Sequence, residues 1–259
     1  MGRTFCIGDV HGTWKELIEM LQLWNLQPTD TVVFLGDLIH KAESPQDSIN
    51  ILYIAHTLQL TCNVVFVAGN HEEKQLRWQK AESRRLTDGT PNMLQHTEGF
   101  AQIRNGLTDE LFCFMLNARL YYQAEGFLCL HGGLPSAHNL PPDITLHDLF
   151  TMKSSDRDFY KQILWCRYVD PRGRPVALGS EKEEDRNWAE AYDGRLGTIL
   201  FGHQPFLEDK VRRFPHAIGL DLGCVFGNYL AAVQISNGQI VDEFYIKAHK
   251  QYCPKYYQE

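Results

Sequence analysis

Three short stretches place an acid or an amide beside a histidine, directly after a glycine: Gly-Asp-Val-His-Gly at 8–12, Gly-Asp-Leu-Ile-His at 36–40 and Gly-Asn-His-Glu at 69–72. Two more histidines follow the same habit further on, His131 in Leu-His-Gly-Gly and His203 in Phe-Gly-His-Gln-Pro. A plain turn needs neither the carboxylate nor the imidazole. Asp9, His11, Asp37, Asn70, His131 and His203 are oxygen and nitrogen donors with no thiolate among them, a set that suits Mn²⁺, with Fe or Zn²⁺ as alternatives, over a soft metal. Six donors are too many for one ion that keeps an open position. They suit two divalent ions that share a carboxylate, with Asp37 as the natural bridge. Two ions about 3.5–4 Å apart clamp an anionic oxygen and acidify a water held between them.

Those donors converge only if the chain presents them from one side. The segment 4–8 is a short buried strand, and Trp14, Leu17, Ile18 and Leu21 after it keep helical spacing. A second apolar, β-branched run spans 31–36. Ile51, Ile54, Ala55 and Leu58 mark another helix face, and a third strand spans 63–69. Strand and helix in alternation predict parallel βαβ units with right-handed crossovers. Parallel strands put their carboxyl ends on one sheet edge, where ligand sites form. In the remainder, 127–132, 197–203, 217–223, 229–235 and 239–246 read as short strands, and Asn237-Gly238 is a hairpin signal. These strands are expected to build a second sheet packed on the first, an α/β layered sandwich. Helical and irregular insertions are expected at about 77–117 and 135–196, all within one domain over 1–259.

The bulk properties narrow the function. A hydrophobic fraction of 44% and a charged fraction of 22% suffice for a sizeable core. A net charge of −7 argues against a binder of duplex nucleic acid, which needs a basic face. Seven scattered cysteines without a CxxC pair read as free thiols in a reducing compartment. No stretch is apolar and long enough to span a membrane, so the expected setting is soluble and cytoplasmic. Lys74, Arg77, Lys80, Arg84 and Arg85 surround Trp78, and Arg77, Lys80 and Arg84 fall on one helical face, expected to be solvated.

The five motifs in this order resemble the calcineurin-like metallophosphoesterases of the phosphoprotein-phosphatase superfamily, over about residues 4–235. The resemblance implies a four-layer αββα sandwich of two mixed sheets flanked by helices. It implies that Asp9, His11 and Asp37 hold one metal, and that Asp37, Asn70, His131 and His203 hold the other. His71 is similar to the family's general acid, and Asn70 would also touch phosphate. One motif departs: His40 and Lys41 stand where the family carries Asp and Arg. Lys41 offers a point charge in place of a bidentate fork, and His40 supports His71 only while neutral. Together with 188–205 and 218–235, the lysine resembles bacterial-type symmetrical diadenosine tetraphosphatases and their eukaryotic relatives. In related enzymes a second phosphate-gripping Arg stands where Arg167 does. The implied reaction is hydrolysis of a dinucleoside polyphosphate by a hydroxide bridging the metals; the alternative substrate is a phosphoserine or phosphothreonine protein.

Overall fold

The computed structural model describes residues 2–94, 97–135, 140 and 142–253. Its first third alternates strand and helix: β1 (Thr4–Ile7), α1 (Trp14–Gln22), β2 (Thr31–Phe34), α2 (Pro45–Thr57), β3 (Asn63–Phe66) and α3 (Asn70–Asp88). β1 pairs parallel with β2, and β2 with β3. Local chemistry sets the helix starts. Ser44 and Asp47 form a reciprocal capping box at α2 with Pro45 in the first turn. Helices α4 (Thr97–Gly106) and α5 (Asp109–Leu116) follow.

The second sheet gathers β4 (Tyr121–Ala124), β5 (Phe127–Leu130), β9 (Thr198–Phe201), β10 (Arg212–Arg213) and β11 (Ala217–Gly219), in the order β10-β11-β9-β5-β4. Between β5 and β9, the two-residue strands β6 (Tyr168–Val169), β7 (Pro175–Val176) and β8 (Arg186–Asn187) make a small third sheet. Strands β12 (Asp221–Leu222), β13 (Tyr229–Ser236) and β14 (Gln239–Lys247) do not join the second sheet, contrary to the expectation for the C-terminal strands. β13 pairs antiparallel with β1, and β14 with β13. The stretch 217–223 is in fact two strands. Ala217–Gly219 belongs to one sheet, Asp221–Leu222 to the other, and the chain steps across at Leu220.

Alternation along the strands builds the layers, because successive side chains point to opposite faces. Phe5, Ile7, Val32, Phe34, Leu230 and Ala232 pack on the helix side with Leu17, Met20, Ile51 and Leu52. Cys6, Val33, Ala231 and Val233 face inward and meet Phe127, Cys129 and Leu200 of the second sheet. Leu128, Leu130, Ile199 and Phe201 point outward beneath Trp188 and Ile163. Two mixed sheets are thus stacked face to face with helices outside. All seven cysteines are free, Cys6 and Cys129 lying 3.7 Å apart (Sγ–Sγ) between the sheets. No helix among the described residues is long and apolar enough to cross a membrane. Tyr252 of the C-terminal segment 252–259 donates its hydroxyl to Glu16 at 2.7 Å; 254–259 lie outside the described residues.

Candidate metal centre

Each candidate donor follows a strand that ends at one rim of the two sheets. β1 leads into Asp9 and His11, β2 into Asp37, β3 into Asn70, β5 into His131 and β9 into His203. The loops are tied together by main chain: the carbonyl of Asp37 accepts from the amides of Val10 (3.2 Å) and His11 (2.8 Å). Their backbone is strained. His11, Asp37, His40, Lys41 and His203 take φ values of 46°, 51°, 64°, 55° and 67°, the left-handed region uncommon for non-glycine residues. Such conformations persist where surroundings enforce them, and they gather at functional sites. Two glycines have a steric reason. A Cβ on Gly69 would sit 2.1 Å from Asp37 Oδ1, and one on Gly202 2.1 Å from Asp9 Oδ1.

The structure brings the six donors into one buried cluster. His131 Nε2 lies 3.3 Å from Asp37 Oδ1 and 2.9 Å from Asn70 Oδ1. His11 Nε2 lies 3.5 Å from Asp37 Oδ2 and 3.8 Å from Asp9 Oδ2. His203 Nδ1 is 2.9 Å from Asn70 Oδ1, and its amide donates to Asp9. Asp37 belongs to two donor groups whose ligand atoms lie within 4.8 Å of one another, one with His11 and His71 and one with His131 and His203. The outer nitrogens fit metal ligation too. His11 Nδ1 donates to the carbonyl of Ile39 at 3.0 Å, and His131 Nδ1 to that of Leu35 at 2.7 Å. That bond fixes the ring and turns Nε2 inward, where it can serve a metal once it gives up any proton.

The charges fit as well. Asp9, Asp37, Glu72 and Asp221 are four buried carboxylates in one place. Burial, and then Asp221 beside it, push Asp9 well above the usual carboxylate range. Burial works against ionisation of Asp37 too, but His131, His71 and His11 hold it well below that range. Burial alone would lower His131, yet Asp37 and Asp9 raise it to about 9. A proton on His131 thereby offsets part of the carboxylate charge. Divalent cations would do so more fully, and the donors present fit them.

Around this cluster stand groups of a second kind. His71 is the second residue of α3, and its amide donates to Asp37 Oδ1 at 2.9 Å. His71 Nδ1 is 3.0 Å from His40 Nδ1, while His71 Nε2 points at the cluster, 3.9 Å from Asp37 Oδ2. His40 Nε2 meets Gln75 Oε1 at 2.9 Å, and Gln75 Nε2 donates to the carbonyl of Phe100 at 3.0 Å. That amide is fixed, so His40 donates from Nε2 and offers Nδ1 as an acceptor to His71 Nδ1–H. Burial and then His71 lower His40 to about 3, which keeps it neutral. The His in place of the family's Asp thus still orients His71. Lys41 is half-buried, its ammonium 5.7 Å from the centre of the Phe226 ring. Arg167 donates from Nε to His203 Nε2 and from Nη2 to the His203 carbonyl, both at 3.1 Å.

Two residues of the site had no role in the sequence reading. Glu72 is fully buried, and its oxygens accept from the amides of Asp37 (3.0 Å), Gly69 (2.9 Å), Leu38 (2.9 Å) and Ile39 (3.3 Å). It moulds the loop that carries Asp37. Asp221 sits beside Asp9 because β12 and β1 pair with adjacent stretches of β13. Their only sequence signal was an acid inside an otherwise apolar or motif-bearing stretch. The basic helical face does not act together: Arg77 pairs with Glu73 (3.5 Å), and Lys80 donates to the carbonyl of Phe150 (3.2 Å). Trp78 is buried, stacked on Phe100.

Comparison with known proteins bears on the family and the fold. The chain is 28% identical over 236 residues to bis(5'-nucleosyl)-tetraphosphatase PrpE [asymmetrical] of Bacillus subtilis (strain 168), covering 86% of this chain and 87% of that one. It is 22% identical over 277 residues to the symmetrical bis(5'-nucleosyl)-tetraphosphatase of Pseudomonas putida (strain GB-1), covering 91% of each. Among solved structures, one provisionally described as a diadenosine tetraphosphatase superposes with a TM-score of 0.67 at 21% identity, over 94% of this chain and 93% of that one. A serine/threonine phosphatase of Saccharomyces cerevisiae superposes with a TM-score of 0.56 at 14% identity, over 96% and 81%. At such identities these structures speak for the fold. Residues 2–207 match the family model of the calcineurin-like phosphoesterases. The chain therefore belongs to the calcineurin-like phosphoesterases, hydrolases of phosphoric esters and anhydrides.

Proposed function

We propose that this protein is a dinuclear-metal hydrolase of dinucleoside polyphosphates such as diadenosine tetraphosphate, with Mn²⁺ the preferred ion and Fe or Zn²⁺ possible substitutes. The observation that carries the reading is Asp37, buried and shared by both donor groups. Asp9, His11 and Asp37 would hold one ion; Asp37, Asn70, His131 and His203 would hold the other. When bound, such a pair supplies an acidified water and neutralises charge on the phosphoryl oxygens. The chain's own groups do the rest. Lys41, Asn70 and Arg167 grip and orient the phosphate. His71, held by His40, donates a proton to the departing oxygen. The nucleotide substrate is supported by the relatives at 22–28% identity, whose names carry that activity. The free cysteines support a reducing, cytoplasmic setting, and one domain over 1–259 accommodates the whole site.

The test compares turnover of diadenosine tetraphosphate, a phosphoserine peptide and p-nitrophenyl phosphate, each with Mn²⁺ and with EDTA. The dinucleotide should be cleaved with the highest kcat/KM, and EDTA should abolish all three activities. A phosphopeptide turned over faster than the dinucleotide would overturn the substrate assignment. Undiminished turnover in EDTA would overturn the metal assignment.

A further inference from the structure

Lys41 stands where the family carries an arginine, and its ammonium rides on a long flexible stem. A guanidinium fork is aligned by its own pair of bonds to phosphate; a point charge has to be aligned by its surroundings. The Lys41 ammonium rests 5.7 Å from the centre of the Phe226 ring, within the range where a ring face attracts a cation. That ring belongs to a single helical turn, Cys224–Phe226, between β12 and β13. Gly223 and Gly227 flank the turn with φ values of 74° and 91°. Inside it, the amide of Phe226 donates to the carbonyl of Gly223 and that of Gly227 to the carbonyl of Cys224, both at 2.9 Å.

The remaining carbonyls are taken by a segment from beyond β14. Residues 248–253 run back across the turn. The carbonyl of Val225 accepts from the amides of Tyr252 (3.0 Å) and Cys253 (2.9 Å), and that of Asn228 from the amide of Ala248 (2.8 Å). The approach is close at Gly227, where a Cβ would lie 3.3 Å from Gln251 Cα. The same segment is moored to α1 at Glu16, which is fully buried. Glu16 Oε1 accepts from the His249 amide at 2.8 Å and from the Tyr252 hydroxyl at 2.7 Å. Its other oxygen is buried with no hydrogen-bond partner. A buried carboxylate is costly without donors, so these two contacts tie the segment firmly to α1. On its outer side Lys250 Nζ lies 2.6 Å from Oε2 of Glu43, two residues after Lys41. That exposed pair adds little energy, but it shows how near the segment passes to the Lys41 loop.

Building on the reading above, in which Lys41 grips phosphate, we infer that 248–253 is a strap that positions Lys41. Tyr252 and Glu16 fasten it, the Val225 carbonyl passes its hold to the turn, and the Phe226 ring carries the ammonium. Tyr252, Glu16 and Phe226 are positioning residues for a phosphoryl dianion. They are not among the candidate metal donors, so the strap governs phosphate affinity and leaves metal content alone. It supplies from the protein the alignment that an arginine fork would supply itself.

Two conservative variants of the full Mn²⁺-loaded chain test this. Phe226→Leu removes the ring face and keeps apolar bulk; Tyr252→Phe keeps the ring and removes the hydroxyl. Calorimetric binding of inorganic phosphate should weaken about threefold to thirtyfold in Phe226→Leu, the range for losing one cation–ring contact, and by about threefold or more in Tyr252→Phe, the cost of one hydrogen bond to a buried charge. The KM for p-nitrophenyl phosphate should rise in parallel with little change in kcat, and Mn²⁺ content should equal the parent's. Each change is then repeated on a Lys41→Met background, itself weakened for phosphate. There the further losses should shrink to within about twofold, because the group being positioned is gone. Unchanged phosphate affinity in either variant, or losses that persist in full on the Lys41→Met background, refute the strap. A Lys41→Met chain that binds phosphate as the parent does refutes the role of Lys41 and the strap with it. A parent chain that neither binds phosphate nor turns over p-nitrophenyl phosphate refutes the hydrolase reading itself, and this inference falls too.

Discussion

Replacing Glu72 by Gln tests how the Asp37 loop is held. The carboxylate accepts four main-chain amides, two on each oxygen: Asp37 and Gly69 on Oε2, Leu38 and Ile39 on Oε1. An amide side chain retains one accepting oxygen and turns an NH₂ group toward the other pair. Two buried donors then lose their acceptor. At about 1–3 kcal/mol for each unsatisfied buried group, Glu72→Gln should cost about 2–6 kcal/mol, a large part of a typical domain's stability. With a urea m-value of about 2 kcal/mol/M, the midpoint should fall by about 1–3 M. The same loop holds Asp37 in its left-handed conformation, so Mn²⁺ affinity should drop by about 10- to 100-fold, as is usual when a metal ligand's support is removed. Urea unfolding in EDTA and calorimetric titration with Mn²⁺ measure the two effects separately. Stability within about 0.5 kcal/mol of the parent, with unchanged Mn²⁺ affinity, would show that Glu72 does not shape the loop.

Two more consequences follow from the same contacts. His40→Ala removes the acceptor that orients His71, so kcat should fall about tenfold or more for poor leaving groups and much less for p-nitrophenyl phosphate; equal losses would remove His71 from the proton-donor role. In metal-free protein His131 is raised to about 9 against an ordinary value near 6.5. A raised histidine contributes stability that is complete below about pH 6.5 and is lost as pH climbs through about 9, so the metal-free melting temperature should fall across that window. Mn²⁺ must displace that proton, so its affinity should rise across the same window; a melting temperature flat from pH 6.5 to 9 would contradict the coupling of His131 to Asp37 and Asp9.

The first half of the fold was legible because periodicity and punctuation agreed. Runs such as 31–36 and 63–69 are apolar on both faces and end in glycine, which parallel buried strands require. The donors were legible for the same reason, since each sits just past a strand. The destination of β13 was not. Its alternation of Leu230 and Ala232 with Ala231 and Val233 shows two buried faces, but not which sheet receives them. Only the pairing of Ile7 with Ala232 decides that. Asp221 was hidden by the same step between sheets, because 217–223 reads as one strand. Glu72 was visible as the last letter of a motif, yet its work depends on a loop 35 residues away. The contact of His40 with Gln75 spans the same separation, so the departure of His40 from the family pattern looked weaker in sequence than the structure makes it.

The most direct test is metal content. After loading with Mn²⁺ and removal of excess, elemental analysis should find two ions for each parent chain. Asp37→Asn, which alters the one carboxylate common to both donor groups, should retain at most one. A parent chain that holds none, or an Asp37→Asn variant that still holds two, would contradict a shared dinuclear centre.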